Sequence, residues 1–243
     1  MLDIETAPHT VFAWGLYDQN ISIDQIVAPG YTLCWSAKWY QKPGVMFSSI
    51  KKDGPDKMID AVHKLLDEAD AVCHYNGTSF DIPTLNRDFL VRGIKPPAPV
   101  HEIDLLMTAR RRFRLASNKL NYVARALGLG QKVKHKGMEL WKKCMEGDPA
   151  SWAVMERYNK MDVVLLERVY EALLPWIKNH PNRALYKQSH NITCNNCGSK
   201  NLERRGFSKT KTNTFQRFQC CDCGTWLRDK NAVKSNSAKL VAA

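Results

Sequence analysis

Hydrophobic and polar positions change period along the chain. Between residues 11 and 50, short runs rich in β-branched and aromatic side chains (Val11 to Tyr17, Thr32 to Tyr40, Val45 to Ile50) are separated by turn formers such as Asp18-Gln19-Asn20 and Lys42-Pro43-Gly44. This pattern predicts antiparallel strands. From Pro55 the spacing becomes helical: Met58, Ile59, Val62, Leu65 and Leu66 share a face and precede an apolar run, Ala71 to Tyr75, that reads as a strand. A second helix is expected from about Asp81 to Arg92 and a further strand over Val100 to Leu105. Ser117 or Asn118 can cap a helix carrying Leu120, Val123, Ala124 and Leu127, closed by Gly128. A long helix then runs from about Asp148 to Leu174, where Pro175 breaks it. Strands, then alternating strand and helix, then helices make an α/β body with a mixed sheet.

A chain of 243 residues holds one core of ordinary size and a small module. We place the body at residues 1–178, a linker at 179–190, the module at 191–229 and a disordered tail at 230–243. No apolar run reaches the length of a bilayer, and the N-terminus carries no secretory signal, so an intracellular location, cytoplasmic or nucleoid-associated, is expected. Charge sharpens the division. From residue 180 onward there are 12 Lys and Arg against 3 Asp and Glu, which is +9 of the net +12 and leaves the body at +3. A small basic module on a nearly balanced body suggests a grip on nucleic acid, with a merely solubilising tail as the alternative.

Three patterns of acidic residues stand out. In Leu2-Asp3-Ile4-Glu5-Thr6, residues two apart on a strand face the same side, so Asp3 and Glu5 project together while Ile4 enters the core. Two adjacent carboxylates repel unless a cation lies between them, although a solvated strand end would also carry them. In His74-Tyr75-Asn76-Gly77-Thr78-Ser79-Phe80-Asp81-Ile82-Pro83 a strand passes through a glycine turn into a helix. Asp81 either lies at the carboxyl end of a strand, where α/β sheets place ligands, or simply caps the helix. On the last helix, Met155, Tyr158, Asp162, Leu165, Val169 and Leu173 follow one stripe at spacings of three and four. An ionised Asp162 in that stripe is costly to bury without compensation, most simply a metal ion; the alternative is a surface aspartate at the stripe's edge.

Asp3-x-Glu5, Asn76-x-x-x-Phe80-Asp81-Ile-Pro83 and Tyr158-x-x-x-Asp162, in that order, resemble the three exonuclease motifs of the DEDD superfamily, and the tyrosine resembles its DEDDy branch. The stretch from Ser117-Asn118-Lys119-Leu120 through Leu127-Gly128-Leu129 to Gly137-Met138-Glu139-Leu140-Trp141 is similar to stand-alone members. The resemblance covers roughly residues 1–175. It implies an RNase H-like mixed five-stranded sheet flanked by helices, with 3′→5′ exonuclease activity releasing nucleoside 5′-monophosphates by a two-metal mechanism. Asp3, Glu5, Asp81 and Asp162 would hold two Mg²⁺ or Mn²⁺ ions that activate water and stabilise the leaving 3′-oxygen, with Tyr158 orienting the water. Asn76 and Phe80 would contact nucleic acid. Single-stranded DNA or its 3′ ends is the expected substrate. RNA, a structured site, or binding by a catalytically silent relative remain alternatives. No polymerase domain fits in this length, so proofreading could occur only in trans, and a polymerase or other replication or repair protein is a candidate partner. Members of the family carry several apolar residues before the first aspartate, whereas only Met1 and Leu2 precede Asp3. Either the ordered strand starts at Met1 or residues precede it in the natural protein.

The cysteines divide in two. Cys34, Cys73 and Cys144 lie singly in apolar or helical context and read as reduced core residues. Cys194-x-x-Cys197 and Cys220-x-x-Cys223 are two knuckles 22 residues apart, each followed by a glycine, and point to one structural Zn²⁺. Cys221 is the odd residue. Between the knuckles, Arg204, Arg205, Lys209, Lys211 and Arg217 alternate with Phe207, Phe215 and Phe218, which resembles zinc ribbons of transposases and transcription factors. The cations are candidates for phosphate contact. The aromatic residues, with Trp226, either stack on bases or form the ribbon's own small core. The run Arg110-Arg111-Arg112-Phe113-Arg114 either lines the substrate path or is a solvated face.

Overall fold

The computed structural model describes residues 1–186 and 192–235 and divides into two compact units, Met1–Tyr170 and Glu171–Ala243. In the first unit the chain forms β1 (Leu2–Thr6), β2 (Thr10–Val11), β3 (Ile26–Ala28), β4 (Thr32–Ala37), β5 (Met46–Ser49), α1 (Pro55–Glu68), β6 (Ala71–His74), α2 (Asp81–Val91), β7 (His101–Asp104), α3 (Leu105–Arg112), α4 (Leu120–Ala126), α5 (Met138–Met145) and α6 (Pro149–Leu173). It is a mixed α/β fold. β1, β4 and β5 make an antiparallel sheet with β4 in the middle, buried at every position. Leu2, Ile4, Trp35 and Ala37 pack with Met58, Ile59 and Val62 of α1 and Leu85 and Phe89 of α2. Leu33 and Cys34 instead pack with Leu140 and Cys144 of α5 and Trp152, Met155 and Tyr158 of α6. The sheet is thus covered on both faces.

The strands do not join into one five-stranded sheet as the sequence leads one to expect. β6 and β7 pair in parallel, and β6 neighbours β1, but no ladder joins β1 to β6 among the described residues. The cause is visible in the register. Met1 exchanges hydrogen bonds with Lys38, and Asp3 and Glu5 stand opposite Ser36 and Cys34, so the N–H groups of alternate residues, including Ile4, face away from β4. The Ile4 N–H is taken by the Asp81 carboxylate at 3.1 Å rather than by a β6 carbonyl.

Other boundaries also shift. The strand expected over residues 11–17 shrinks to Thr10–Val11, because its partner β3 is only three residues long; Phe12, Trp14, Leu16 and Tyr17 project into solvent, with Trp14 98% exposed. Lys119, not Ser117 or Asn118, is the N-cap of α4. The Ser117 hydroxyl accepts from the Lys119 N–H, and the Asn118 carbonyl accepts from the Tyr75 hydroxyl at 2.6 Å. The expected strand over 100–105 ends one residue early, since the Asp104 side chain accepts from the Leu106 and Met107 N–H groups and starts α3. Pro175 ends α6 as its sequence predicts, within a 3₁₀ turn.

In the second unit β8 (Leu202–Lys209), β9 (Asn213–Cys220) and β10 (Trp226–Ser235) form an antiparallel sheet with β9 central. A 3₁₀ turn, Arg183–Tyr186, lies in the stretch read as linker, and the Arg183 N–H donates to the Asn195 carbonyl. β10 continues through the start of the expected disordered tail, because Ala232, Lys234 and Ser235 find partners at Phe215, Thr214 and Asn213 of β9. Residues 187–191 and 236–243, which include the rest of the linker and of the tail, lie outside the described residues. No described helix is long and apolar enough to cross a membrane.

Candidate active site

β1 delivers the first two carboxylates. Leu2 and Ile4 are buried beneath the strand, so Asp3 and Glu5 share the opposite face. α6 delivers Tyr158 and Asp162, which are one turn apart and both buried, and Asp162 is 1% exposed. A surface position for Asp162 is therefore ruled out. Carboxylate oxygens of Asp3, Glu5 and Asp162 lie within 4.8 Å of one another. Asp81, the first residue of α2, is buried and near enough to raise Asp3, but stands outside that set of three. The α2 N-cap is Phe80 without a side-chain cap, and the Asp81 carboxylate instead reaches back to the Ile4 N–H. That bond links the strand carrying Asp3 and Glu5 to the helix carrying Asp81.

The turn before α2 is braced from below. Asn76 adopts a left-handed backbone, φ 72°, and its N–H donates to Asp104 Oδ1 at 3.0 Å. Gly77 donates its N–H to Nδ1 of the buried His74, so close that a Cβ there would meet His74 Cγ at 2.2 Å. Asn76 is half-buried, and Phe80 is 43% exposed.

Two further residues belong to the site. Asn159 is fully buried and donates to Asp3 Oδ2 at 2.6 Å, fixing that carboxylate from α6. Lys132, in the connection between α4 and α5, places Nζ 2.7 Å from Asp162 Oδ2 and 3.2 Å from the Tyr158 hydroxyl. Asn159 could have been found as a second polar break in the α6 stripe. Lys132 has no signal of that kind, because its partners lie 26 and 30 residues away.

The electrostatics follow from crowding. Burial pushes Asp3 well above the ordinary carboxylate range, with Glu5, Asp81 and Asp162 adding to the effect. Burial likewise raises Glu5 to about 8, against the pull of Lys132, and Asp81 to about 7, against the Ile4 N–H. Asp162 is raised by burial and held back by Lys132. Tyr158 is pushed up by burial and by its acidic neighbours Glu5 and Asp162, so it stays a neutral phenol. One lysine does not balance four carboxylates, and Asp162 Oδ1 is buried with no hydrogen-bond partner among the described residues. A hard divalent cation among Asp3, Glu5 and Asp162 would satisfy both conditions, and all-oxygen donors suit Mg²⁺ or Mn²⁺.

The second unit holds a separate cluster. Cys194 and Cys223 sulfurs are 3.6 Å apart, as are those of Cys197 and Cys220, and all four lie within 4.8 Å of one another. Tetrahedral zinc with Zn–S bonds of about 2.3 Å spaces its sulfurs by about 3.8 Å, so the cluster can hold such an ion. Gly198 and Gly224, at φ 76° and 77°, turn their N–H groups back to the Cys194 and Cys220 carbonyls. Cys221 is exposed and stands outside the set.

The cations singled out between the two cysteine pairs are all exposed, but two are already engaged. Arg205 pairs with Glu203 at 2.7 Å. Arg217 stacks on Trp226 at 4.8 Å and donates to the Arg205 carbonyl. Arg204, Lys209 and Lys211 pair with no carboxylate among the described residues. Phe215 is buried and Phe218 half-buried, so they pack within the second unit, while Phe207 and Trp226 are each 52% exposed. Arg110, Arg111 and Arg112 occupy the last turn of α3, where cations favour the helix dipole.

No curated protein matches the chain. A family model, described as the RNase_H superfamily, matches residues 1–174, the stretch that carries the four carboxylates and Tyr158. Its fold is of nuclease type, usually binds divalent metal ions and implies a nucleic-acid substrate. The chain belongs to the RNase H superfamily.

Proposed function

We propose that the protein is a metal-dependent 3′→5′ exonuclease of the DEDDy type that acts on single-stranded DNA and releases nucleoside 5′-monophosphates. The observation that carries this reading is the convergence of Asp3, Glu5 and Asp162 within 4.8 Å, with a buried, unpartnered Asp162 oxygen. Asp3, Glu5, Asp81 and Asp162 would hold two Mg²⁺ or Mn²⁺ ions, which supply Lewis acidity at the scissile phosphate. Asn159 fixes Asp3, and the Ile4–Asp81 bond fixes Asp81. The Tyr158 hydroxyl, protonated at neutral pH, orients the attacking water. The C-terminal module is a zinc ribbon whose free cations Arg204, Lys209 and Lys211 hold nucleic acid, with Arg205 and Arg217 in support. A polymerase or repair protein is the kind of partner such a stand-alone exonuclease would serve.

The Lys132–Asp162 pair offers a competing reading, a binding protein whose acids are neutralised by lysine. One assay decides. With end-labelled single-stranded DNA and Mg²⁺ or Mn²⁺, the wild type is expected to release mononucleotides stepwise from the 3′ end, and Asp162→Asn to slow release by a factor on the order of 10² or more. No release by wild type, or equal release by the variant, sinks the enzyme. Matched RNA and circular DNA run in parallel report sugar preference and any internal cleavage.

A further inference from the structure

Within the connection from α4 to α5, Lys132-Val133-Lys134-His135-Lys136 places Lys132 at the carboxylate cluster and Lys134, His135 and Lys136 on a cavity of about 330 Å³. Lys143 of α5 and Arg157 of α6 line the same cavity. Against these cations stand two carboxylates, both engaged. Glu139 pairs with Lys143 at 2.9 Å and Lys136 at 3.8 Å, and Asp148 accepts the Ser151 N–H at 2.8 Å. Lys134 and Arg157 have no carboxylate within ion-pair distance among the described residues.

The connection is fixed at both ends and adjoins the site. The Lys132 N–H donates to Asn121 of α4 at 2.9 Å, while its Nζ holds Asp162. The His135 ring packs edge-on against Tyr158 at 4.8 Å and Trp141 at 5.1 Å. The Gly137 N–H occupies His135 Nδ1, which leaves Nε2 as the ring donor. Arg157 is the residue directly before Tyr158. A concave, cationic surface therefore begins one aromatic ring away from the tyrosine beside the four acids.

We propose that this cavity is a binding subsite for a backbone phosphate of the substrate strand neighbouring the one cleaved, with Lys134 and Arg157 as its ligands and His135 as a positioning residue. A single-stranded nucleic acid fits this chemistry. Guanidinium and ammonium groups free of carboxylate partners suit phosphodiester oxygens, and a phosphate seated here keeps its strand continuous with the acids. The subsite deepens the exonuclease reading and rests on it for the identity of the strand.

The test measures binding apart from cleavage. In the full-length chain carrying Asp162→Asn, fluorescence anisotropy with a labelled single-stranded oligonucleotide is followed against salt. Lys134→Gln with Arg157→Gln is compared with an equal charge loss on α1, Lys57→Gln with Lys64→Gln. The subsite variant is expected to bind about tenfold more weakly, and the slope of log affinity against log salt to fall by about 0.7 per lost contact, roughly 1.4 in all. Lys134→Arg with Arg157→Lys should keep both. Equal affinity and slope in the subsite and α1 variants would overturn the proposal. Loss of affinity in a protein whose wild type releases no nucleotide would instead uphold the subsite and remove the exonuclease.

Discussion

Lys132 puts a fixed positive charge against Asp162, in the place where the site's chemistry calls for cations. Its amino group is held above its ordinary range: burial alone would lower it, but Asp162, Tyr158 and Asp3 outweigh that. A divalent ion bound at Asp162 would therefore compete with lysine for the same carboxylate. Replacing Lys132 with Met should cost the metal-free protein about 2 kcal/mol, the scale of one charged hydrogen bond. It should also enlarge the rise in melting temperature that Mn²⁺ produces. A thermal-shift titration checks both, and a smaller Mn²⁺ effect in the variant would mean that Lys132 supports metal binding rather than opposing it. Asp162 was legible in the sequence because it breaks an apolar stripe, which is a local pattern. Lys132 was not, since a lysine in a connection becomes a site residue only through contacts made in three dimensions.

At the scale of elements, the unit that positions Asp81 is β6, the turn after it and α2, braced against β7. His74 is its hub: Nε2 lies 3.2 Å from Glu102 Oε2, Nδ1 accepts from Gly77 and lies 3.8 Å from Asp104 Oδ2. Burial holds its imidazole below the ordinary range, while Asp104 and Glu102 oppose that and the Met1 amino group adds to it. The sign follows directly. Between the unfolded value, about 6.5, and the lowered folded one, the unfolded chain binds more protons, so the stability that neutral His74 contributes is present above that window and lost as pH falls through it. The wild type should lose more melting temperature between pH 7 and pH 5 than His74→Asn does, and equal losses would remove His74 as the cause. Gly77→Ala should cost about 1–3 kcal/mol by overpacking against the His74 ring, read as a lower denaturant midpoint. The helix at Asp81 was legible from its period and the glycine turn. The buried brace was not, because His74 looked like an ordinary strand residue. The absent β1–β6 ladder was equally hidden, since a side chain from α2 takes the Ile4 N–H.

Across the whole molecule, the two units solve the stability problem differently, and that difference can be measured. The first has buried residues on both faces of its sheet. Among the described residues of the second, the buried apolar side chains are Leu173, Leu174, Ile177, Cys194, Phe215 and Cys220, few for a unit that carries a sheet of three strands. Zinc in a four-thiolate site would add on the order of 10 kcal/mol or more to that small core. Composition showed the knuckles and the basic balance, but not that β10 extends to Ser235, because pairing with β9 holds those residues in place of periodicity. The chain should carry about one zinc by elemental analysis, retained in Cys221→Ser and lost in Cys197→Ser. In calorimetry of the full chain, a zinc-selective chelator should abolish one transition and leave another that Mg²⁺ or Mn²⁺ raises in wild type but not in Asp162→Asn. If the chelator leaves every transition in place, the cysteine cluster is not what holds the ribbon together.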